Sequence, residues 1–204
     1  VILDNGFEGL HLKINGQEVF FHLSGKFNAY NLLAIYGTAV SLGVPSDEVL
    51  LKMSALTTAE GRFEVIRNGQ GGVAIVDYAH TPDALQNVLS TIHDITQNRE
   101  EILTVVGCGG NRDALKRPIM AEIACRYSHR VILTSDNPRL EDPNQILCDM
   151  EAGIPIESKQ NVLIIENRHE AIKTASMMMR DHVVILIAGK GHEKYQDIQG
   201  IKHH

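Results

Sequence analysis

From residue 71 onward, apolar runs and amphipathic segments take turns without interruption, and this alternation restricts the fold more than any other feature of the chain. The runs "GGVAIVDYA", "EILTVVGCGG", "RVILTSD", "NVLIIEN" and "HVVILIAGKG" are short, rich in β-branched residues and close in glycine, acid or amide. Between them lie "TPDALQNVLSTIHDI", "RPIMAEIACRYS", "NQILCDMEAGI" and "RHEAIKTASMMMR", whose apolar residues recur at helical spacing. In the first of these, Thr81 is placed to cap the helix and Pro82 to occupy its first turn. Strands without polar alternation are buried on both faces, which requires helices above and below a mainly parallel sheet. The expected class is therefore α/β, doubly wound.

The first 58 residues follow a different pattern. An apolar, strand-like segment opens the chain. "LHLKINGQEVFFHL" then alternates around Asn15-Gly16, a pair suited to a type I′ turn, and predicts a hairpin over 10–23. "NAYNLLAIYGTAVSLG" has helical spacing and stops at Gly43, suited to the C′ position, while "PSDEVLLKMSAL" opens as a helix N-terminus. Near "TTAEGRFEV" the pattern changes, so a domain boundary is expected at residues 58–59.

Composition narrows the function. Of 204 residues, 44% are hydrophobic and 22% charged, and the formal net charge is -6. That balance suits a core-forming domain and argues against a general nucleic-acid or anionic-membrane binder. Cys108, Cys125 and Cys148 are too scattered for a disulfide framework or a zinc site, so a cytoplasmic location is expected. No run is long enough to cross a bilayer, and no basic-then-apolar leader is visible. The chain begins without Met and is expected to be a piece of a longer protein.

In a doubly wound sheet, ligands bind beyond the carboxyl ends of the strands. Those ends carry "DYAHTPD", "GCGGNRD", "SDNPR" and "GKGHEKY". A structural turn needs the glycines but not so many charges. "GCGGNRD" lacks the full G-x-G-x-x-G pattern of a dinucleotide loop, and Arg112 is the residue a plain turn leaves unexplained. Asp77 either accepts ribose hydroxyls or caps a turn, and His80 is either a site or a surface histidine. "GKGHEKY" is not a G-x-x-x-x-G-K-[ST] phosphate loop, and His192 with Glu193 has no third metal ligand at suitable spacing. Glu193 is its candidate ligand contact. The run Met177–Met179 is taken as helix, partly core.

Taken together and in this order, "FNAYN", "GRFE", "DYAHTPDAL", "GCGGNRD…KRP", "SDNPRLEDP" and "GKGHEKYQ" resemble the Mur ligase family, and "DNPR" resembles its diaminopimelate-adding members. The resemblance spans essentially the whole chain. It implies that residues 1–58 are the last, incomplete part of a central ATP-binding domain. Residues 59–204 would be a Rossmann-like, amino-acid-binding domain cut short at its end. It further implies an ATP-dependent, Mg2+-assisted amide-bond ligase of peptidoglycan synthesis. Such an enzyme joins meso-2,6-diaminopimelate to UDP-N-acetylmuramoyl-L-alanyl-D-glutamate through an acyl phosphate, acting as a monomer on small molecules. The family's glycine-rich phosphate loop, magnesium carboxylate and carbamylated lysine have no match in this chain, so no catalytic residue and no metal ligand is assigned, and the isolated chain is expected to be inactive and to hold no tightly bound cofactor.

By the same resemblance, Asn28, Asn31, Arg62, Asp77 and His80 are the ATP-side residues, and Arg112, Asp136, Asn137, Arg139, Gly189 and Glu193 form the diaminopimelate pocket. Simple chemistry agrees with the second set. Diaminopimelate differs from lysine by a distal carboxylate, which a planar guanidinium can hold with two parallel hydrogen bonds. Asp136 and Glu193 can accept from the distal ammonium, and Pro138 stiffens the turn that aims Arg139. Lysine would leave Arg139 without its anion, at a cost of roughly 2–5 kcal/mol by analogy with other broken buried pairs. The alternatives are a lysine-adding ligase, a folylpolyglutamate synthetase, or a non-catalytic module that binds nucleotide or amino acid.

Overall fold

The computed structural model describes residues 1–69 and 71–204, which fall into two compact units: 1–59 with 91–97, and 60–90 with 98–204. In the first unit, β1 (Ile2–Gly6), β2 (Gly9–Ile14) and β3 (Gln17–Phe21) form an antiparallel sheet in that order. The β2–β3 turn is made by Asn15 and Gly16 at φ 48° and 88°, the left-handed pair that a two-residue hairpin requires. Helices α1 (Lys26–Ser41) and α2 (Ser46–Ser54) pack on the sheet through Leu10, Leu12, Phe21, Leu32, Tyr36, Val49, Leu50 and Met53, all buried. Helix α1 begins two residues earlier than its spacing suggests, and Gly43 follows the C-cap Leu42 at φ 89°. Asp47 and Glu48 in the first turn of α2 and Lys52 in its last suit the helix dipole.

The second unit is built on a six-stranded sheet of order β4 (Glu64–Arg67), β5 (Val73–Asp77), β9 (Val183–Ala188), β6 (Glu101–Val106), β7 (Arg130–Leu133) and β8 (Val162–Ile164). Five strands are parallel, and β4 runs antiparallel on the edge beside β5. The α/β class and the mainly parallel sheet expected from the sequence are present. Two features escaped it. One is β4. The other is a second hairpin of β10 (Gln196–Ile198) and β11 (Ile201–His203).

The connecting helices are α3 (Pro82–Thr96), α4 (Lys116–Tyr127), α5 (Pro143–Glu151) and α6 (Arg168–Met177). Thr81 accepts from the amide of Ala84, which makes it the cap expected for α3. Asp142 and Asn167 cap α5 and α6 in the same way. Successive residues of β6 serve opposite faces. Leu103 and Val105 meet Ala171 and Ala175 of α6, while the hydroxyl of Thr104 bonds Ser128 just after α4. Helices therefore cover both faces, and the small alanines let α6 lie close to the sheet. The last strand, β9, inserts between β5 and β6. Its position brings the turn after residue 188 between the turns after Asp77 and Val106.

Candidate functional site

Every polar turn singled out from the sequence in this unit leaves the same edge of the sheet, because β5, β6, β7 and β9 are parallel. Beyond β7, Thr134 continues the pairing with Val106, and the chain then turns across the mouth of β6. The amide of Gly110 donates to the carbonyl of Asn137 at 2.9 Å. A Cβ at Gly110 would stand 1.9 Å from the carbonyl oxygen of Pro138, so this approach is open only to glycine.

Asp136 and Asn137 are 7% and 6% exposed, and Lys190, opposite them, is 7% exposed. The carboxamide oxygen of Asn137 accepts from Lys190 Nζ at 2.9 Å and from the amide of Asp197 at 2.8 Å. Its Nδ2 donates to Glu193 Oε2 at 2.9 Å. Lys190 Nζ also reaches Glu193 Oε2 at 3.0 Å and Asp136 Oδ1 at 3.6 Å. Gly189, at φ 110°, brings β9 so near that an added Cβ would lie 2.9 Å from Asp136 Oδ2. Two carboxylates thus share one buried ammonium, an arrangement that low local dielectric strengthens only when every partner is present.

Burial pushes the Glu193 carboxyl up, but the bonds from Asn137 and Lys190 outweigh it and hold the group below the ordinary range. Tyr78 donates to Glu193 Oε1 at 3.3 Å, and burial with the nearby Glu193 charge raises the phenol. Beneath the site, Arg168 is 6% exposed and donates to the carbonyl of Ala188 at 2.9 Å. Burial lowers its guanidinium, while the charges of Asp136 and Glu193 act in the opposite direction.

Arg139 is held differently. Its φ is 53°, uncommon for a residue with a Cβ. The strain is maintained by pairing with the β10–β11 hairpin: its amide donates to Asp197 at 2.9 Å and its carbonyl accepts from Gln199 at 2.7 Å. Nη1 donates to the carbonyl of Gly110 at 2.8 Å. The Arg139 side chain lines a cleft of about 550 Å³.

The cleft is lined by Arg112, Asp136, Asn137, Arg139 and Glu193, together with His80 and Lys116. Five of the six residues expected on the amino-acid side thus meet in one cavity, and Gly189 sits behind it. His80, expected on the ATP side, lines the same cleft, with Nδ1 2.8 Å from the carbonyl of Tyr78. Arg62 stacks its guanidinium 4.4 Å from the centre of the Tyr78 ring. Asp77 is 9% exposed, and its two oxygens accept from the amides of Phe63 and Ala79, each at 2.7 Å. Burial raises its carboxyl, against those two bonds. Its visible work is to hold the residue before β4 and the turn after β5 together. Asn28 and Asn31 lie on α1 in the other unit, bonded to each other at 3.1 Å.

Sequence reasoning missed Lys190, Tyr78 and Arg168. A lysine locked between two glycines was the available signal for the first. Tyr78 and Arg168 carry none that separates them from ordinary strand and helix residues. Among the described residues no three His, Cys, Asp or Glu are grouped to hold a metal ion, and no helix is long and apolar enough to cross a membrane.

The family pattern described as "Mur ligase, glutamate ligase domain" matches residues 61–191. The chain belongs to the Mur ligase family. Among curated relatives, the UDP-N-acetylmuramoyl-L-alanyl-D-glutamate–2,6-diaminopimelate ligase of Parabacteroides distasonis is 56% identical over 203 residues, covering 100% of this chain and 42% of that protein. The ligase of the same name from Bacteroides fragilis is 55% identical over 203 residues, with the same coverage of 100% and 42%. A solved structure of a ligase so named superimposes with a TM-score of 0.70 at 40% identity, over 98% of this chain and 41% of that one. A folylpolyglutamate synthase from Thermotoga maritima shares the Mur ligase fold, with a TM-score of 0.71 at 19% identity over 93% of this chain and 42% of that one. The chain therefore spans well under half the length of these relatives.

Proposed function

We propose that the protein is an ATP-dependent ligase that adds meso-2,6-diaminopimelate to UDP-N-acetylmuramoyl-L-alanyl-D-glutamate. In this reading residues 59–204 supply the amino-acid pocket, and residues 1–58 end an ATP-binding domain. The observation that carries it is the single cleft lined by two arginines, Arg112 and Arg139, and two acids, Asp136 and Glu193. A ligand that fits must carry a carboxylate and an ammonium close together, which is the distal end of diaminopimelate. The names of the relatives at 56% and 55% identity support the same substrate.

ATP would phosphorylate the dipeptide's terminal carboxylate, and the proximal amine of diaminopimelate would attack the acyl phosphate, releasing phosphate. In that scheme this chain binds and orients. The Arg139 guanidinium receives the distal carboxylate, with Arg112 as second cation. The distal ammonium replaces water around Asp136 and Glu193; Lys190 contacts both acids, and Asn137 bonds Glu193 and fixes its aim. Held at that end, the molecule presents its other amine at a fixed distance, which is the positional share of catalysis. ATP-side roles for Asn28, Asn31, Arg62, Asp77 and His80 belong to the same proposal. Mg2+ would accompany ATP; the residues described here offer it no ligand set, and no step is routed through it.

The test is phosphate release by the full-length protein with ATP and the UDP-dipeptide, supplying diaminopimelate or lysine in turn. Release that depends on diaminopimelate supports the reading. Equal turnover with lysine, or none with either, overturns it.

A further inference from the structure

Arg117 is a buried cation that the scheme above leaves without a role. It sits in the first turn of α4 with its side chain 2% exposed, yet it reaches two carboxylates on different elements. Nη1 donates to Asp149 Oδ2 of α5 at 2.8 Å, and Nη2 to Glu141 Oε2 at 2.7 Å. These bonds outweigh the effect of burial and raise the guanidinium above its ordinary value.

The two carboxylates differ in what lies behind them. Asp149 accepts otherwise from Gln145 one helical turn away, at 3.0 Å, and leads nowhere near the cleft. Glu141 ends the turn that holds Arg139: its amide donates to the carbonyl of Pro138 at 3.1 Å. Its other oxygen accepts from the amide of Asn111, in the loop after β6. Asn111 returns the contact, accepting from the amide of Leu140 at 3.0 Å. Next to it, Gly110 donates to Asn137 and accepts from Arg139 Nη1 at 2.8 Å. These bonds sew the loop after β6 to the loop after β7 on both sides of Arg139, and the Glu141 carboxylate supplies the one that is anchored to Arg117. Asn111, at φ 52°, takes the left-handed conformation that asparagine tolerates within that seam.

We propose that Glu141, anchored by buried Arg117, is the positioning residue that fixes the aim of Arg139 and hence the discrimination for a distal carboxylate. This rests on the proposed function. Arg117 has two equal ionic partners, but only one of them stitches the site. That asymmetry separates positioning from stability.

The experiment compares Glu141→Ala with Asp149→Ala in the full-length ligase. Both remove one ion pair from Arg117 and both side chains are only 32% exposed, so their effects on stability should be similar. Glu141→Ala should raise the KM for diaminopimelate by roughly tenfold or more, the scale of a remote misplacement of a binding group. It should leave the KM for ATP unchanged and narrow the preference over lysine. Asp149→Ala should leave all three near wild type. The amide of Asn111 should lose hydrogen-exchange protection only in Glu141→Ala, a readout independent of activity. Equal KM changes in both variants, or an unchanged KM in Glu141→Ala, would overturn the proposal. A wild-type enzyme indifferent to diaminopimelate would instead defeat the function reading, and the exchange data would still report whether the seam exists.

Discussion

Replacing Lys190 by methionine removes the ammonium at the centre of the site while keeping much of its volume. Asp136 and Glu193 would be left with side chains 9% and 17% exposed and no contacting cation of their own among the described residues. Removing one partner of a buried pair costs about 3–5 kcal/mol. Glu193 keeps its bonds from Asn137 at 2.9 Å and Tyr78 at 3.3 Å. Those survivors place the expected loss just below that range, about 2–3 kcal/mol at pH 7. In urea denaturation that is a fall in midpoint of about 1 M, for a slope of roughly 2–3 kcal/mol/M. The sign with pH follows from Glu193. Its folded carboxyl is held below the ordinary value, so its contribution is complete above the unfolded pKa of about 4.3 and is lost as pH falls through the folded one. The gap between wild type and Lys190→Met should therefore be widest at neutral pH and close progressively below about pH 4. Adding Glu193→Gln to Lys190→Met should recover part of the loss at pH 7. A gap that stays the same as pH falls from 7 to about 2 would mean that Lys190 acts by packing alone, and the electrostatic account would be wrong.

The glycines of the loop after β6 make a second contrast. Gly110→Ala drives a methyl to 1.9 Å from the Pro138 carbonyl and should cost at least about 1–3 kcal/mol in denaturation, the range for overpacking. Gly109→Ala meets only the end of Arg139, with Nη1 at 2.8 Å, and should weaken diaminopimelate binding in calorimetry with little change in stability. Asp77→Ala removes the carboxylate that accepts from the amides of Phe63 and Ala79 and should destabilise by about 1–3 kcal/mol, so a stability near wild type would show that its role is not to fix the backbone.

Much of this was legible in the sequence, for physical reasons that differ from element to element. Unbroken apolar strands such as "VVILIA" can only be buried on both sides, so the α/β class followed from solvation alone. Asn15-Gly16 and Thr81-Pro82 marked a turn and a helix start because few residues suit those backbone states. Strand β4 was not legible, since "EVIR" is short and edge strands need no continuous apolar run. The placement of β9 between β5 and β6 depends on packing across the whole unit, and no local pattern encodes it. In the site, Arg112, Asp136, Arg139 and Glu193 stood out as charges a turn does not need. Lys190 did not, because its glycines explained the turn without it. Asp77 illustrates an open pair of readings: a carboxylate at a strand end suits a ligand contact or a turn cap, and its oxygens accept from two backbone amides. Arg117 and Arg168 read as ordinary residues of "RPIMAEIACRYS" and "RHEAIKTASMMMR", because burial of a cation is decided by tertiary structure.

The most direct measurement is kcat/KM of the full-length protein and its Arg139→Ala variant, with diaminopimelate and with lysine side by side. A guanidinium that pairs with the distal carboxylate should be worth roughly 2–5 kcal/mol toward diaminopimelate, a loss of about 30-fold or more, while lysine turnover stays the same or improves. Equal losses for both amino acids, or none for diaminopimelate, would contradict the account.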